Sequence, residues 1–194
     1  MSNIIAVEGM PGAGKTAVIN SIINDSLLDN CTALPEVYLG NLSNLSGSKS
    51  YLDVEIDKKN LIIDLKNKYE NILLDRTFLS SVAYSYVTSK VNGNIKDHKD
   101  LIKYFEYLDN KHQFLRPTHL FYLDVAVSES IKRRKTFAII DEFHNWFDPE
   151  FLKYFSEFYR QNINRFGMPE CVFIDTTNLK KEEVINIIIS VFKK

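Results

Sequence analysis

The eight residues Gly9-Met10-Pro11-Gly12-Ala13-Gly14-Lys15-Thr16 match the pattern G-x-x-x-x-G-K-[ST] at every fixed position. The apolar run Ile4-Ile5-Ala6-Val7 precedes them, and Ala17-Val18-Ile19-Asn20-Ser21-Ile22-Ile23 follows with helical spacing and no breaker. A strand that feeds a glycine-rich turn opening a helix is the setting this motif requires, and it sets aside a chance Lys-Thr in a turn. The glycines let the backbone curl and aim successive N–H groups at phosphate oxygens. The helix N-terminus adds its orphan donors and the positive end of its dipole. In such a loop Lys15 reaches the β- and γ-phosphates, and the Thr16 hydroxyl ligates Mg²⁺. Gly9, Met10, Pro11, Gly12, Ala13, Gly14, Lys15, Thr16 and Ala17 are therefore expected to hold a nucleoside triphosphate, with ATP and Mg²⁺ as cofactors.

At 194 residues and 45% apolar composition the chain can bury a full core, and a single domain over 1–194 is expected. The 24 basic and 25 acidic residues balance, so no global field draws the chain toward nucleic acid or a membrane. Cys31 and Cys171 lie far apart in sequence, which fits reduced residues near or in the core rather than a disulfide framework or a C-x-x-C metal site. The first strand begins almost at once, leaving no room for a signal peptide. No apolar run approaches the roughly 18 residues that a membrane span needs. A cytoplasmic location is expected. His98, His112, His119 and His144 share no metal-ligand spacing and receive no role.

Strands are expected at 3–7, 32–38, 71–74, 119–124 and 171–175, most of them rich in branched and aromatic residues. Helical patterns lie between them at 15–28, about 51–69, 80–89, 99–114, 128–140, 149–164 and 180–192. Asp148-Pro149-Glu150 reads as an N-cap followed by proline at the first helical position. The stretch 40–50, with many Asn, Ser and Gly, reads as a mobile surface loop. This alternation predicts an α/β fold of three layers, a P-loop NTPase fold with a five-stranded parallel sheet and a helical lid. In such sheets ligands sit beyond the carboxyl ends of the strands.

Those ends carry chemistry. Mg²⁺ takes a carboxylate across from the P-loop hydroxyl, often through water. Three apolar strands end in candidates for it, at Asp75, Asp124 and Asp175. Asp75 is preferred because Arg76 beside it puts a fixed cation near an anion site; the competing role is a strand-end carboxylate that caps a loop. The second strand runs into Pro35-Glu36-Val37. Lys132-Arg133-Arg134-Lys135 could face phosphates, line a solvated helix face or touch nucleic acid, and within this fold the first is favoured. The series Phe147, Phe151, Tyr154, Phe155, Phe158 and Tyr159 has helical spacing and reads as a core stripe. If 80–89 is a helix beside an acceptor pocket, one of Tyr84 and Tyr86 is a candidate contact to the acceptor base; the favoured alternative is packing in the core.

The segment Asp75-Arg76-Thr77-Phe78-Leu79-Ser80-Ser81-Val82-Ala83-Tyr84 resembles the D-R-x-x-x-S-x-x-A-Y signature of thymidylate kinases, whose relatives the deoxynucleoside kinases carry a similar acidic-Arg-Ser segment. Pro117–Val125 is similar to that family's P-D-x-x-x-x-L-D-V strand, with Thr118 in place of its Asp. Phe155 and Tyr159 fall where the family has its F…Y helix, and Ile174-Asp175 followed by Glu182-Glu183-Val184 resembles its last strand and helix. The resemblance implies that Arg76 holds the acceptor's phosphate or sugar end. It also implies that Arg133 and Arg134 are arginines of a lid at about 133–144, and that the Thr176–Asn178 loop, with Thr177 and Asn178, flanks adenine.

The departures bear on the acceptor. Where thymidylate kinases carry R-E-P-G-G-T, this chain has Leu34-Pro35-Glu36-Val37-Tyr38-Leu39-Gly40, and the family's Gln after A-Y is Ser85. Pro35-Glu36-Val37 is closer to the E-P-V of deoxynucleoside kinases, with Pro and Glu exchanged. In those enzymes the Glu accepts the proton of the sugar 5′-hydroxyl, a base that a phosphate acceptor does not need. Glu36 is therefore either that base or a solvated or Arg-paired carboxylate. The resemblance favours transfer to a nucleoside monophosphate by a narrow margin, with a nucleoside or other small hydroxyl compound as the alternative. The expected partner is that small-molecule acceptor, with a homodimer allowed and neither nucleic acid nor membrane. A G-protein-like switch is disfavoured, since none of the seven glycines follows an Asp by three residues and Asn178-Leu179-Lys180-Lys181 is not N-K-x-D. A P-loop protein that binds nucleotide without transfer is the other competitor.

Overall fold

The computed structural model describes residues 2–36, 48–134 and 146–192. Five strands, β1 (Asn3–Gly9), β2 (Cys31–Leu34), β3 (Asn71–Asp75), β4 (His119–Asp124) and β5 (Cys171–Asp175), form one sheet in the order β2-β3-β1-β4-β5. Every neighbouring pair is parallel. Seven α-helices lie among the described residues: α1 (Lys15–Asn24), α2 (Ser48–Leu65), α3 (Phe78–Val91), α4 (Ile95–Asn110), α5 (Val127–Arg134), α6 (Pro149–Asn162) and α7 (Lys181–Ser190).

Parallel strands require crossovers, and crossovers are right-handed. The chain steps from β1 past β3 to β2, then reverses through β3 and β4 to β5. Handedness therefore places α1 on one face of the sheet and α2, α3, α4 and α6 on the other, and α7, which follows the last strand, joins α1 by packing on it. The packing agrees, with α3 against α2, α4 and α6. The result is the expected three layers around a five-stranded parallel sheet. The register sets Val7 beside Asp75 and Gly9 beside Leu123, so the carboxyl ends of β1, β3 and β4 open on the same edge. Ile5, Val7, Ile72, Leu73, Phe121 and Leu123 are fully buried between the helical layers. Of the expected aromatic stripe, Phe151, Phe155, Phe158 and Tyr159 are buried, while Phe147, which precedes α6, and Tyr154 are only partly buried.

Several boundaries differ from the sequence reading. The described part of β2 ends at Leu34 rather than at 38, because Pro35 has no N–H to continue the ladder; residues 37 and 38 lie outside the described residues. Helix α1 stops at Asn24 instead of 28, with Ser26 turned into the left-handed region at φ 49°. Helix α2 starts at Ser48, so 48–50 are helical and not part of a loop, while 40–47 lie outside the described residues. Helix α4 begins and ends four residues earlier than expected, and His112 at φ 54° lies just beyond its end. Asp148 caps α6 as read, accepting from Glu150 N at 2.8 Å with Pro149 in the first turn. The remainder of the expected fifth helix, His144 and the lid span from 135 to 144 lie outside the described residues. Cys31 and Cys171 are free thiols, half-buried, and burial pushes them up to about 11 and about 12. Among the described residues no helix is long and apolar enough to cross a membrane.

Candidate active site

The glycine-rich loop is turned inside out. Lys15 Nζ donates to the carbonyls of Gly9 at 2.9 Å and Met10 at 3.1 Å, and Ser130 Oγ donates to that of Pro11 at 2.6 Å. Arg133 Nη1 reaches Gly12 O at 3.5 Å and Thr176 Oγ1 reaches Ala13 O at 3.4 Å. Residues 9–13 thus have every carbonyl turned to a side-chain donor. In a planar trans peptide the N–H points away from its carbonyl, so the loop's free N–H groups face its open side. Sterics hold it there. A Cβ on Gly9, at φ 149°, would sit 2.4 Å from Leu123 O, and one on Gly12, at φ 77°, would sit 2.7 Å from Ser130 O. The loop leads into α1 through Gly14, and no side chain caps that helix.

Thr16 and Asp75 come together across the strand ends. Thr16 Oγ1 donates to Asp75 Oδ2 at 2.5 Å. Asp75 is buried, and its Oδ1 has no hydrogen-bond partner. A hydroxyl beside a carboxylate with one orphaned oxygen fits a small hard cation that takes oxygen ligands and brings phosphates with it. Among the described residues no three His, Cys, Asp or Glu side chains cluster as an all-protein metal cage. Of the other strand-end carboxylates, Asp124 pairs with Arg160, and Asp175 accepts from Thr177 N at 2.9 Å. Both line a cavity of ≈ 520 Å³ beside α6, with Lys153 and Ser156. Lys15 is buried, and burial together with repulsion from Arg76 pulls its ammonium down to about 7.

Arg76 follows Asp75 directly at the end of β3. Its Nε lies 2.5 Å from Glu36 Oε1, and its Nη1 donates to Gly9 O at 3.2 Å and Ser80 Oγ at 3.1 Å. Its backbone is held in the left-handed region at φ 71°, a strained setting for a side chain with a Cβ. Lys58 Nζ fixes it there by donating to Arg76 O at 2.8 Å, and Arg76 N donates to Val7 O at 3.1 Å. Burial pushes the Glu36 carboxyl up, but Arg76 and then Lys15 outweigh it and leave Glu36 below the usual range. Its side chain remains 54% exposed, so it is open to a partner. Glu55 of α2, 3.5 Å from Lys58, is pushed up by burial.

The two arginines of α5 take different places. Arg133 Nη2 donates to the carbonyls of Thr176 at 2.7 Å and Thr177 at 3.2 Å, tying the loop after β5 to the P-loop. Thr177 also accepts from Ala126 N at 2.9 Å, and Asn178 is exposed beside it. Arg134 instead donates to Trp146 O at 3.2 Å and lies over the Phe147 ring at 4.9 Å. Burial, then repulsion from Arg76, lowers it, so its charge lies within electrostatic reach of Arg76. Tyr84 packs against Trp146 and Phe151, whereas Tyr86 bonds Glu157 at 2.9 Å and packs on Phe158. Ala17 and Thr16 are exposed at the start of α1.

Sequence reasoning missed two residues, Glu8 and Lys58. Glu8 is fully buried and accepts hydrogen bonds from Thr77, Ser80 and Tyr159. Its signal was available: a lone acidic residue closes an otherwise apolar buried strand. Lys58 carried no comparable signal, since a lysine within a charged helix reads as solvated.

No protein-family profile and no curated sequence matches the chain. Solved structures do. A deoxyadenosine kinase from M. mycoides with bound dATP superposes at a TM-score of 0.68 with 22% identity, covering 98% of this chain and 100% of that one. The same kinase with bound dCTP gives 0.66 at 20% identity, over 98% of each chain. A thymidylate kinase from Candida albicans gives 0.67 at 15% identity, covering 99% of this chain and 91% of that one. The chain has the fold of these kinases. Likeness at this level of identity reaches the fold and stops there.

Proposed function

We propose that the protein is a Mg²⁺-dependent kinase that moves the γ-phosphoryl of ATP to the 5′-hydroxyl of a nucleoside, with deoxynucleosides the first class to test. The observation that carries this is the contact between Glu36 Oε1 and Arg76 Nε at 2.5 Å, at the mouth of a P-loop whose carbonyls all turn outward. A phosphate monoester brought to this guanidinium would meet the like charge of the Glu36 carboxylate already paired with its Nε. A hydroxyl meets a base instead. Glu36 is ionised at neutral pH and its exposed carboxylate can accept a proton, while its pairing with Arg76 lowers its basicity rather than raising it. The geometry thus favours the hydroxyl acceptor over the monophosphate toward which the sequence resemblance leans.

In this reading the acceptor oxygen bonds to the γ-phosphorus and the β–γ bridging bond breaks. The hydroxyl proton passes to Glu36, and ADP leaves with the electron pair. Thr16 and Asp75 would hold Mg²⁺, which supplies charge neutralisation to the β,γ-oxygens when bound. Arg76 orients the acceptor against Glu36, and Arg133 closes the P-loop onto the loop after β5. Glu36→Gln removes the base with little change of shape. It should cost about 10²–10⁴-fold in transfer to a nucleoside, the usual worth of a general base. An unchanged rate would return the assignment to a monophosphate acceptor. Labelled ATP offered with a panel of nucleosides and monophosphates decides the class, and label reaching water alone removes the kinase reading.

A further inference from the structure

Glu8 is the penultimate residue of β1, and its carboxylate accepts hydrogen bonds from two other elements. Oε1 takes the N–H of Thr77 at 2.7 Å and its hydroxyl at 2.6 Å. Oε2 takes Ser80 Oγ at 2.7 Å and Tyr159 OH at 2.7 Å. Those donors fill the lone pairs of both oxygens. Thr77 is the N-cap of α3, with its Oγ1 accepting from Leu79 N at 3.2 Å, and Tyr159 belongs to α6, so one buried side chain joins β1, α3 and α6.

The bond to Ser80 has a direction. A hydroxyl has one proton. Because that proton goes to Glu8, the lone pairs of Ser80 Oγ are left to accept, and Arg76 Nη1 donates to them at 3.1 Å. Tyr159 OH, 3.2 Å from Ser80 Oγ, likewise directs its single proton to Glu8. The next residue after Glu8 supplies the second support, since Gly9 O accepts from both Arg76 Nη1 at 3.2 Å and Lys15 Nζ at 2.9 Å.

We propose that Glu8, acting through Ser80 and braced by Tyr159, is the positioning residue that fixes the Arg76 guanidinium against the acceptor. Its catalytic consequence rests on the kinase reading above; its structural consequence does not. An amide at position 8 keeps the shape but presents N–H groups where Ser80 and Tyr159 also donate, so the Ser80 proton loses its acceptor and the hydroxyl's orientation toward Arg76 is no longer fixed. Ser80→Ala removes the relay alone, without touching the buried carboxylate.

The test uses Glu8→Gln, Ser80→Ala and Ser80→Thr in the full chain. In wild type the Arg76 Nη protons should exchange slowly enough to be seen by NMR, and Glu8→Gln and Ser80→Ala should speed their exchange about tenfold or more. Ser80→Thr should restore slow exchange. With nucleoside and ATP varied separately, Ser80→Ala should raise the acceptor KM or lower kcat by about 10- to 100-fold, the range for a hydrogen bond to a charged group, with the KM for ATP unchanged. Should Glu8→Gln fail to fold, the Ser80 pair carries the test. Unchanged Arg76 exchange in Ser80→Ala overturns the proposal, as does a parallel loss in both KM values that tracks melting temperature. If wild type phosphorylates no nucleoside, the kinase reading falls while the NMR result still decides the positioning role.

Discussion

Lys15 illustrates how one side chain acquires its chemistry from its surroundings. It is buried against the carbonyls of Gly9 and Met10, and desolvation outweighs every attraction from Glu36, Asp75 and Glu8, leaving it at about 7 against an ordinary 10.5. The sign follows. Folding must bury a charge the unfolded chain keeps in water, so the penalty is complete below about 7 and shrinks as pH rises toward 10.5. Lys15→Met should therefore melt at a higher temperature than wild type, with a larger gain at pH 6.5 than at pH 9.5. The same variant should lose on the order of 10²-fold or more in transfer, the effect of removing a preorganised charge from the developing anion. Triphosphate beside Lys15 restores its charge, so nucleotide binding should take up protons above about pH 7. Calorimetry in buffers of different ionisation enthalpy measures this, and a buffer-independent heat would count against Lys15 as the phosphate ligand.

Among the elements, α6 and α3 show how caps place function. Asp148 accepts from Glu150 N at 2.8 Å, and Pro149 presets the first turn of a helix whose inner face carries Phe151, Phe155, Phe158 and Tyr159 into the core. Asp148→Ala should cost about 1 kcal/mol, the ordinary worth of an N-cap. For a chain of this size that is a fall of roughly 2–4 °C in melting temperature. Loss of the cap frays the first turn, far from Tyr159, so acceptor KM should be unchanged. Thr77 does more in α3, capping the helix while donating to Glu8. The strained φ of 71° at Arg76 sits between β3 and that cap, where Lys58 and Val7 hold its backbone.

At the level of the molecule, the open edge formed by β1, β3 and β4 gathers the proposed site residues from β1, α1, β3 and the stretch after β2. A ligand bound there links these elements and should stabilise the whole fold by mass action. With free Mg·ATP about a hundredfold above its Kd, the gain is roughly 2.7 kcal/mol. This corresponds to a rise of roughly 5–10 °C in melting temperature at this chain length. Chelation of Mg²⁺, or Asp75→Asn, should cut the rise sharply, because the Thr16–Asp75 pair would no longer hold the cation. A rise of equal size with and without divalent cation would remove Asp75 from the metal site.

The alternation of short apolar strands with helical patterns, and a glycine-rich turn placed between the first pair, determined the parallel three-layer fold from the sequence alone. These signals are local: periodicity and turn chemistry act within a few residues. The Asp148–Pro149 cap and the buried aromatic stripe of α6 were legible for the same reason. Tertiary structure decided the rest. Asp75, Asp124 and Asp175 look alike at their strand ends, yet the register of β1 with β3 brings Asp75 to Thr16, while Asp124 falls to Arg160 and Asp175 to its own loop. Arg133 and Arg134 are neighbours in the chain, yet one closes on the P-loop and the other on Trp146, because successive helical positions point about 100° apart. Glu8, Ser80 and Tyr159 lie up to 151 residues apart and converge on one carboxylate. Sequence spacing cannot encode such convergence. It is set by which strands pair, which faces the crossovers cover, and where a buried charge can find donors.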